Sequence, residues 1–191
     1  MPGAAFNQLA DLAADQYGFV SQHDARELGI KPMTLVRMSE HGTLERRGHG
    51  LYRLRYFPVS PLDSYMEATL WPRGVRGVLS HETALQLYEL SDVNPSKIHI
   101  TVPHEHRIRR EIPASYRIHN ETLDHADMTF YEGMPIVTPA HAIRQSHAAD
   151  LGPALIGQAI DHGVRNGRLT RTEAAQLRRE TGVRAGSGMR R

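Results

Sequence analysis

The chain contains no cysteine, which removes disulfides, thiolate zinc sites and cysteine nucleophiles from consideration and accords with a reducing compartment. It also lacks any apolar run near the roughly 18–20 residues that a membrane-spanning helix needs. Its first residues, MPGAAFNQLADLAADQYG, carry acids where a secretory signal carries a basic stretch, and they hold no continuous apolar core. The expectation is therefore a cytoplasmic protein without membrane insertion. Internal repeats and low-complexity tracts are missing, and neither HExxH nor another catalytic spacing occurs. Nor does charge of one sign dominate: the formal net charge is +2.

What is present is ordinary in bulk and uneven in detail. The 191 residues, 40% hydrophobic and 23% charged, allow one or two globular domains, and the pattern favours two. Residues 26–57 carry 7 basic against 3 acidic side chains, residues 58–167 carry 9 against 13, and residues 168–191 carry 7 against 2. A nucleic-acid surface is thus expected near the N-terminus and not in the acidic middle.

The most informative stretch is GIKPMTLVRMSEHGTLERRGHGLYRL, residues 29–54. Before it, Phe6, Leu9, Ala10 and Ala13 form one stripe of a first helix, and Ser21 with Asp24 predicts the capped start of a short second one through Leu28. Gly29 closes that helix and Pro32 occupies the first position of the next, where its missing N–H costs nothing. Leu35 and Met38 then fall on one face, with Met33, Val36, Arg37 and Glu40 on the other. Gly42 ends the helix, and two short runs around Gly48-His49-Gly50 predict a hairpin. Helix, turn, helix and a basic hairpin make a winged helix-turn-helix, whose recognition helix enters the major groove while the hairpin follows the backbone.

Candidate DNA-binding residues follow from this placement. Arg37, mid-helix, is the candidate base reader, since a guanidinium donates two bonds to guanine. Lys31 and Thr34 suit phosphate or sugar contact at the helix start, and Arg46, Arg47, His49 and Arg53 are the wing candidates, with Arg47 open to either face.

Pro58 and Pro61 interrupt both helix and central strand, so the expected domains are residues 1–57, a larger α/β domain at 58–182 and a disordered basic tail at 183–191. In the second domain, two helices are expected before any strand, the second capped by Ser80. Strands follow at residues 97–102, 116–119, 128–131 and 136–137. Thr138-Pro139 opens a helix whose inner stripe holds Ala140, Ile143 and His147. Another helix carries Ile156, Ala159, Ile160 and Gly163, and Thr170 with Glu173 forms a capping box for the last. The fold class expected is mixed α/β.

Twelve histidines invite a metal reading, above all His104-Glu105-His106 with His99, His119 and His125 nearby. Because His104 and His106 follow Pro103 in a charged loop, no metal, cofactor or catalytic site is expected. Ser80-His81-Glu82 likewise fails as a hydrolase triad, since sequence neighbours at a helix start do not face one another.

Three segments, YGFVSQHDARELGIKPMTLVRMSEHGTLERRGHGLYRL, SHETAL and GMPIVTPAHAI, resemble in their order the AbiEi-type antitoxins of bacterial type IV toxin–antitoxin systems. The resemblance covers roughly residues 5–180. It implies a non-enzymatic protein with an N-terminal winged helix and a C-terminal α/β domain, which represses its own operon on double-stranded promoter DNA and opposes a nucleotidyltransferase toxin. Self-association on DNA is compatible with it. The chain departs from the pattern at Pro32 and Met33, commonly polar or basic, and at His49, often Arg. The alternative is a stand-alone regulator whose C-terminal domain binds a ligand or self-associates.

Overall fold

In the computed structural model, which describes residues 3–184, the N-terminal elements are α1 (Ala4–Ala14), β1 (Phe19–Ser21), α2 (Gln22–Glu27), α3 (Pro32–Glu40), β2 (Leu44–Gly48) and β3 (Leu51–Leu54). Local chemistry accounts for their ends. Ser21 and Asp24 form a reciprocal capping box: the Ser21 hydroxyl accepts from the Asp24 N–H at 3.1 Å, and the Asp24 carboxylate accepts from the Ser21 N–H at 2.7 Å. Helix α2 closes with the Ile30 N–H on the Ala25 carbonyl (2.7 Å) and the Gly29 N–H on that of Arg26 (2.9 Å). The same motif ends α3, where Thr43 and Gly42 donate to Met38 and Ser39. Gly29 and Gly42 adopt φ of +70° and +74°, a region glycine enters without a Cβ penalty.

Strands β1, β3 and β2 pair antiparallel in that order. Leu9, Ala13, Val20, Ala25, Ile30, Leu35, Leu44 and Tyr52 form the core beneath them, each large side chain contributing roughly 1.5–3 kcal/mol by leaving water. Leu44, Tyr52 and Leu54 line one face of the β2–β3 hairpin, toward that core. Its other face, holding Glu45, Arg47 and Arg53, meets the next helix.

That helix, α4 (Asp63–Leu70), brings two acids to the hairpin. Asp63 lies 2.9 Å from Arg53, which also donates to the carbonyls of Phe57 (3.2 Å) and Pro58 (2.8 Å). Glu67 lies 3.4 Å from Arg47. Farther along, Arg76 meets Gln16 and stands 3.5 Å from Asp24, at the start of α2. The first packed unit accordingly runs to Gly77 and includes Tyr131–Met134. Strand β3 ends at Leu54, before the prolines at 58 and 61, and the segment expected as a domain boundary lies inside this unit.

The second unit takes in residues 78–130 and the chain from Pro135 onward. Its elements are β4 (Val78–Leu79), α5 (His81–Leu87), β5 (Ile98–Val102), β6 (Tyr116–Asn120), a 3₁₀ turn (His125–Asp127), β7 (Met128–Tyr131), β8 (Met134–Val137), α6 (Pro139–Ala148), α7 (Pro153–Arg165) and α8 (Arg171–Thr181). The five strands are ordered β6-β5-β4-β8-β7, with β4 antiparallel to β5 and parallel to β8, and β5 parallel to β6. Mixed α/β architecture is as expected. A strand does precede α5, however: at two residues, β4 is too short to show an alternation. The caps at Thr138 and Thr170 form as expected. Ala140 and Ile143 are buried as expected, whereas His147 is exposed, and Ala142, Gln145 and Ser146 complete the inner face of α6. No helix among the described residues is long and apolar enough to cross a membrane. Most of the expected tail, from residue 185, lies outside the described residues.

Removing Asp63 strands a guanidinium that is only 8% exposed. Asp63→Ala should destabilise the full chain by on the order of 3 kcal/mol, whereas Glu67→Ala, whose partner Arg47 is well exposed, should cost about 1 kcal/mol or less. Urea melts of both variants check this. Equal costs would show that Arg53 does not depend on its carboxylate.

Candidate nucleic-acid interface and histidine cluster

The exposed side of α3 is set by what its other side buries. Leu35 is fully buried and Met38 packs on the core, so Arg37 and Met33 face solvent, Met33 at 59% exposure. Lys31 caps the N-terminus of α3 and is exposed, and Thr34 is half-buried. Among the described residues, no carboxylate engages Lys31 or Arg37.

The hairpin divides its cations by strand alternation. Arg46 is exposed, its Nε donating to the Gly48 carbonyl at 3.3 Å. His49 is exposed at the tip, which the Gln22 N–H holds by donating to the Gly50 carbonyl at 2.8 Å. Gly50 has φ of +77°. Arg53 corrects the expectation: register pairs it with Glu45 on the α4 side, where it is buried under the Phe19 ring and held by Asp63, so it has no reach to a phosphate. Arg47 shares that face and is paired with Glu45 and Glu67, whose charge raises its pKa further. Two further basic candidates, Arg26 and His23, the latter 3.6 Å from Glu27, stand exposed on α2 and carry no motif that marks them in the sequence. With Arg73, Trp71 and His49 they line a groove of about 310 Å³ that depends on a residue some fifty positions downstream.

In the second unit, tertiary contact assembles a different cluster. His81 opens α5 directly after β4, His99 lies on β5 and His119 on β6. Register puts His99 opposite Arg117 and Thr101 opposite His119, so all four side chains share one face of the sheet. The His81 and His119 rings stack at 3.6 Å, and His99 lies 5.7 Å and 5.1 Å from their centroids. Each ring offers one nitrogen within 4.8 Å of the others. His81 adopts φ of +53°, a costly conformation for a non-glycine residue, at a strand-to-helix junction. Its N–H donates to the Gln145 side chain at 3.2 Å, and its Nδ1 lies 3.0 Å from the Ser80 hydroxyl. That hydroxyl was expected to cap α5, but it makes no cap bond and turns to the imidazole.

Gln145 in turn donates to Glu121 at 2.5 Å, and the Glu121 carboxylate lies 3.0 Å from His141, whose other nitrogen is 3.1 Å from Asp127. His104 and His106, the most conspicuous pair in the sequence, stand apart from the cluster, on the loop after β5.

Burial, reinforced by the neighbouring imidazoles and Arg117, pushes His81 down to about 3 and His99 and His119 to about 4. Near neutral pH all three rings are uncharged. Below the ordinary histidine range, near 6.5, the unfolded chain takes up protons that the folded chain refuses until about pH 4. Stability is therefore complete above about pH 6.5 and is lost as pH falls toward 4. Thermal melts of chelator-treated protein at pH 7, 6 and 5 should show a fall in Tm over that range, shallower in His119→Gln. Parallel slopes for the two proteins would mean that other groups govern the acid response.

Residues 7–55, which run from α1 through the hairpin, match the family model described as "Transcriptional regulator, AbiEi antitoxin". No curated protein matches the chain. In fold it is similar to the crystal structure of the RV2827C protein from Mycobacterium tuberculosis, with a TM-score of 0.50 and 18% identity over 94% of this chain and 72% of that one.

Proposed function

We propose that this chain, whose N-terminal segment is that of the AbiEi antitoxin and transcriptional-regulator family, acts as a non-enzymatic DNA-binding antitoxin. Residues 19–54 work as a winged helix-turn-helix that represses the protein's own promoter. The second unit opposes a nucleotidyltransferase toxin. The observation that carries the DNA-binding half is exposure within the segment that matches the family: Arg37 and Lys31 stand exposed on α3, and Arg46 and His49 stand exposed on the hairpin.

The parts have distinct roles. Arg37 is the base reader, donating to guanine O6 and N7, and Met33 offers apolar contact to a thymine methyl group. Lys31, Thr34, Arg46 and His49 hold phosphate or sugar and set the register. Arg53 acts indirectly, by fixing the hairpin. A stand-alone regulator is favoured by one observation only, that the family match ends at residue 55.

Binding of the full chain to its promoter should weaken by about 1–3 kcal/mol in Arg37→Ala and lose preference at one base position. In Lys31→Ala with Arg46→Ala, affinity should fall for all sequences alike, and the slope of log affinity against log salt should lessen by about 0.9 for each phosphate no longer neutralised. Electrophoretic mobility shifts over an operator-variant panel measure both. An unchanged ranking in Arg37→Ala would remove it as base reader. Co-expression of a nucleotidyltransferase encoded beside this gene with the Arg37→Ala, Lys31→Ala, Arg46→Ala chain should restore growth while repression is lost. Rescue confined to DNA-binding forms would leave the plain regulator as the better account.

A further inference from the structure

We infer that His81, His99 and His119 form a binding site for one divalent transition-metal ion of the zinc class, with a fourth coordination position left for water or an incoming oxygen ligand. The inference is independent of the DNA-binding and antitoxin reading, since it concerns other residues and the other unit.

Ring-nitrogen chemistry supports it first. A neutral imidazole carries one donor and one acceptor, and buried polar atoms normally find partners. Here His99 Nδ1 and His119 Nε2 are buried without a hydrogen-bond partner, and His99 as a whole is only 3% exposed. The Thr101 hydroxyl beside them is also unpartnered. Three imidazoles gathered for packing alone would leave this polarity unused.

Geometry supports it next. Zinc–imidazole bonds of about 2.0–2.1 Å in a tetrahedral site place ligand nitrogens roughly 3.4 Å apart. The three nitrogens already lie within 4.8 Å of one another, and histidine χ2 is a broad torsion, so opening the His81–His119 stack brings them together through small ring rotations. His81 Nδ1 faces Ser80 and so leaves Nε2 for the ion. Rigid elements hold the ligands: the His99 N–H donates to Thr83 at 2.9 Å and the His81 N–H donates to Gln145.

The donor set defines the ion. Three neutral nitrogens without thiolate or bound carboxylate suit zinc, cobalt or nickel over calcium or magnesium, which take oxygen. Glu121, one step away through Gln145, supplies a nearby negative charge that offsets the cation. The ligand order, residues 81, 99 and 119 from three separate elements, has no spacing motif, which is why it escapes a sequence scan.

The test uses untagged full-length protein, stripped with chelator and titrated with zinc chloride against a chromophoric chelator, and separately with cobalt chloride followed by visible absorption. Wild type should take up one equivalent per chain and rise in Tm. Outer-sphere partners of metal sites are worth 10–100-fold in affinity, so loss of a direct ligand in His119→Gln or His81→Asn should cost at least about 100-fold, and Gln145→Ala about 10-fold. His104→Ala with His106→Ala should leave affinity unchanged. Circular dichroism confirms that each variant is folded. Failure of the wild-type chain to bind either metal overturns the inference whatever the variants do. So does binding that survives in folded His119→Gln and His81→Asn, or that disappears with His104 and His106.

Discussion

A single buried guanidinium organises the first unit. Arg53 lies under the Phe19 ring, donates to two carbonyls of the chain leaving the hairpin and pairs with Asp63 at 2.9 Å. Planar, always charged and rich in donors, an Arg can satisfy several acceptors from a fixed position, which Lys cannot. Because each acceptor belongs to a later stretch of chain, the same contact turns the Pro58–Pro61 segment back and seats α4 against the hairpin. Loss of water around the charge is tolerated only because these partners replace it.

The hairpin's function depends on that commitment. Alternation along β2 and β3 sends Arg46 one way and Arg47 and Arg53 the other, and the acids of α4 claim the second set. What remains exposed is Arg46 and the His49 tip on the hairpin, and Lys31 and Arg37 on α3. Among the described residues, Lys31, Arg37 and Arg46 engage no internal carboxylate. The groove containing Arg26 and Arg73 draws residues from both ends of the unit.

The second unit handles polarity differently. Its sheet gathers three histidines that burial keeps uncharged, and the positive φ of His81 is held by the Gln145 bond to its N–H. Strain of this kind persists where surrounding contacts over-determine it, and it accompanies the two unpartnered ring nitrogens. Glu121 and Asp127 flank His141, and Glu121 is tied through Gln145 to the backbone of His81.

Much of the local structure was legible in the residues themselves, because it is decided within a few positions. Ser21 with Asp24, Thr138-Pro139 and Thr170 with Glu173 start helices by capping, Gly29 and Gly42 end them by tolerating positive φ, and Leu35 with Met38 fixes which side of α3 packs. The exposure of Arg37 follows from that stripe. Three other features depended on contacts that no helix or strand pattern marks. Arg53 changes from a surface cation to a buried one only because Asp63 returns to it, the Pro58–Pro61 break fails to separate units because Arg47 and Arg53 attract α4, and Ser80 turns from a cap to His81. The histidine cluster is the clearest case: residues 81, 99 and 119 meet through strand order and register, which hydrogen bonding across the sheet decides and no short-range spacing encodes.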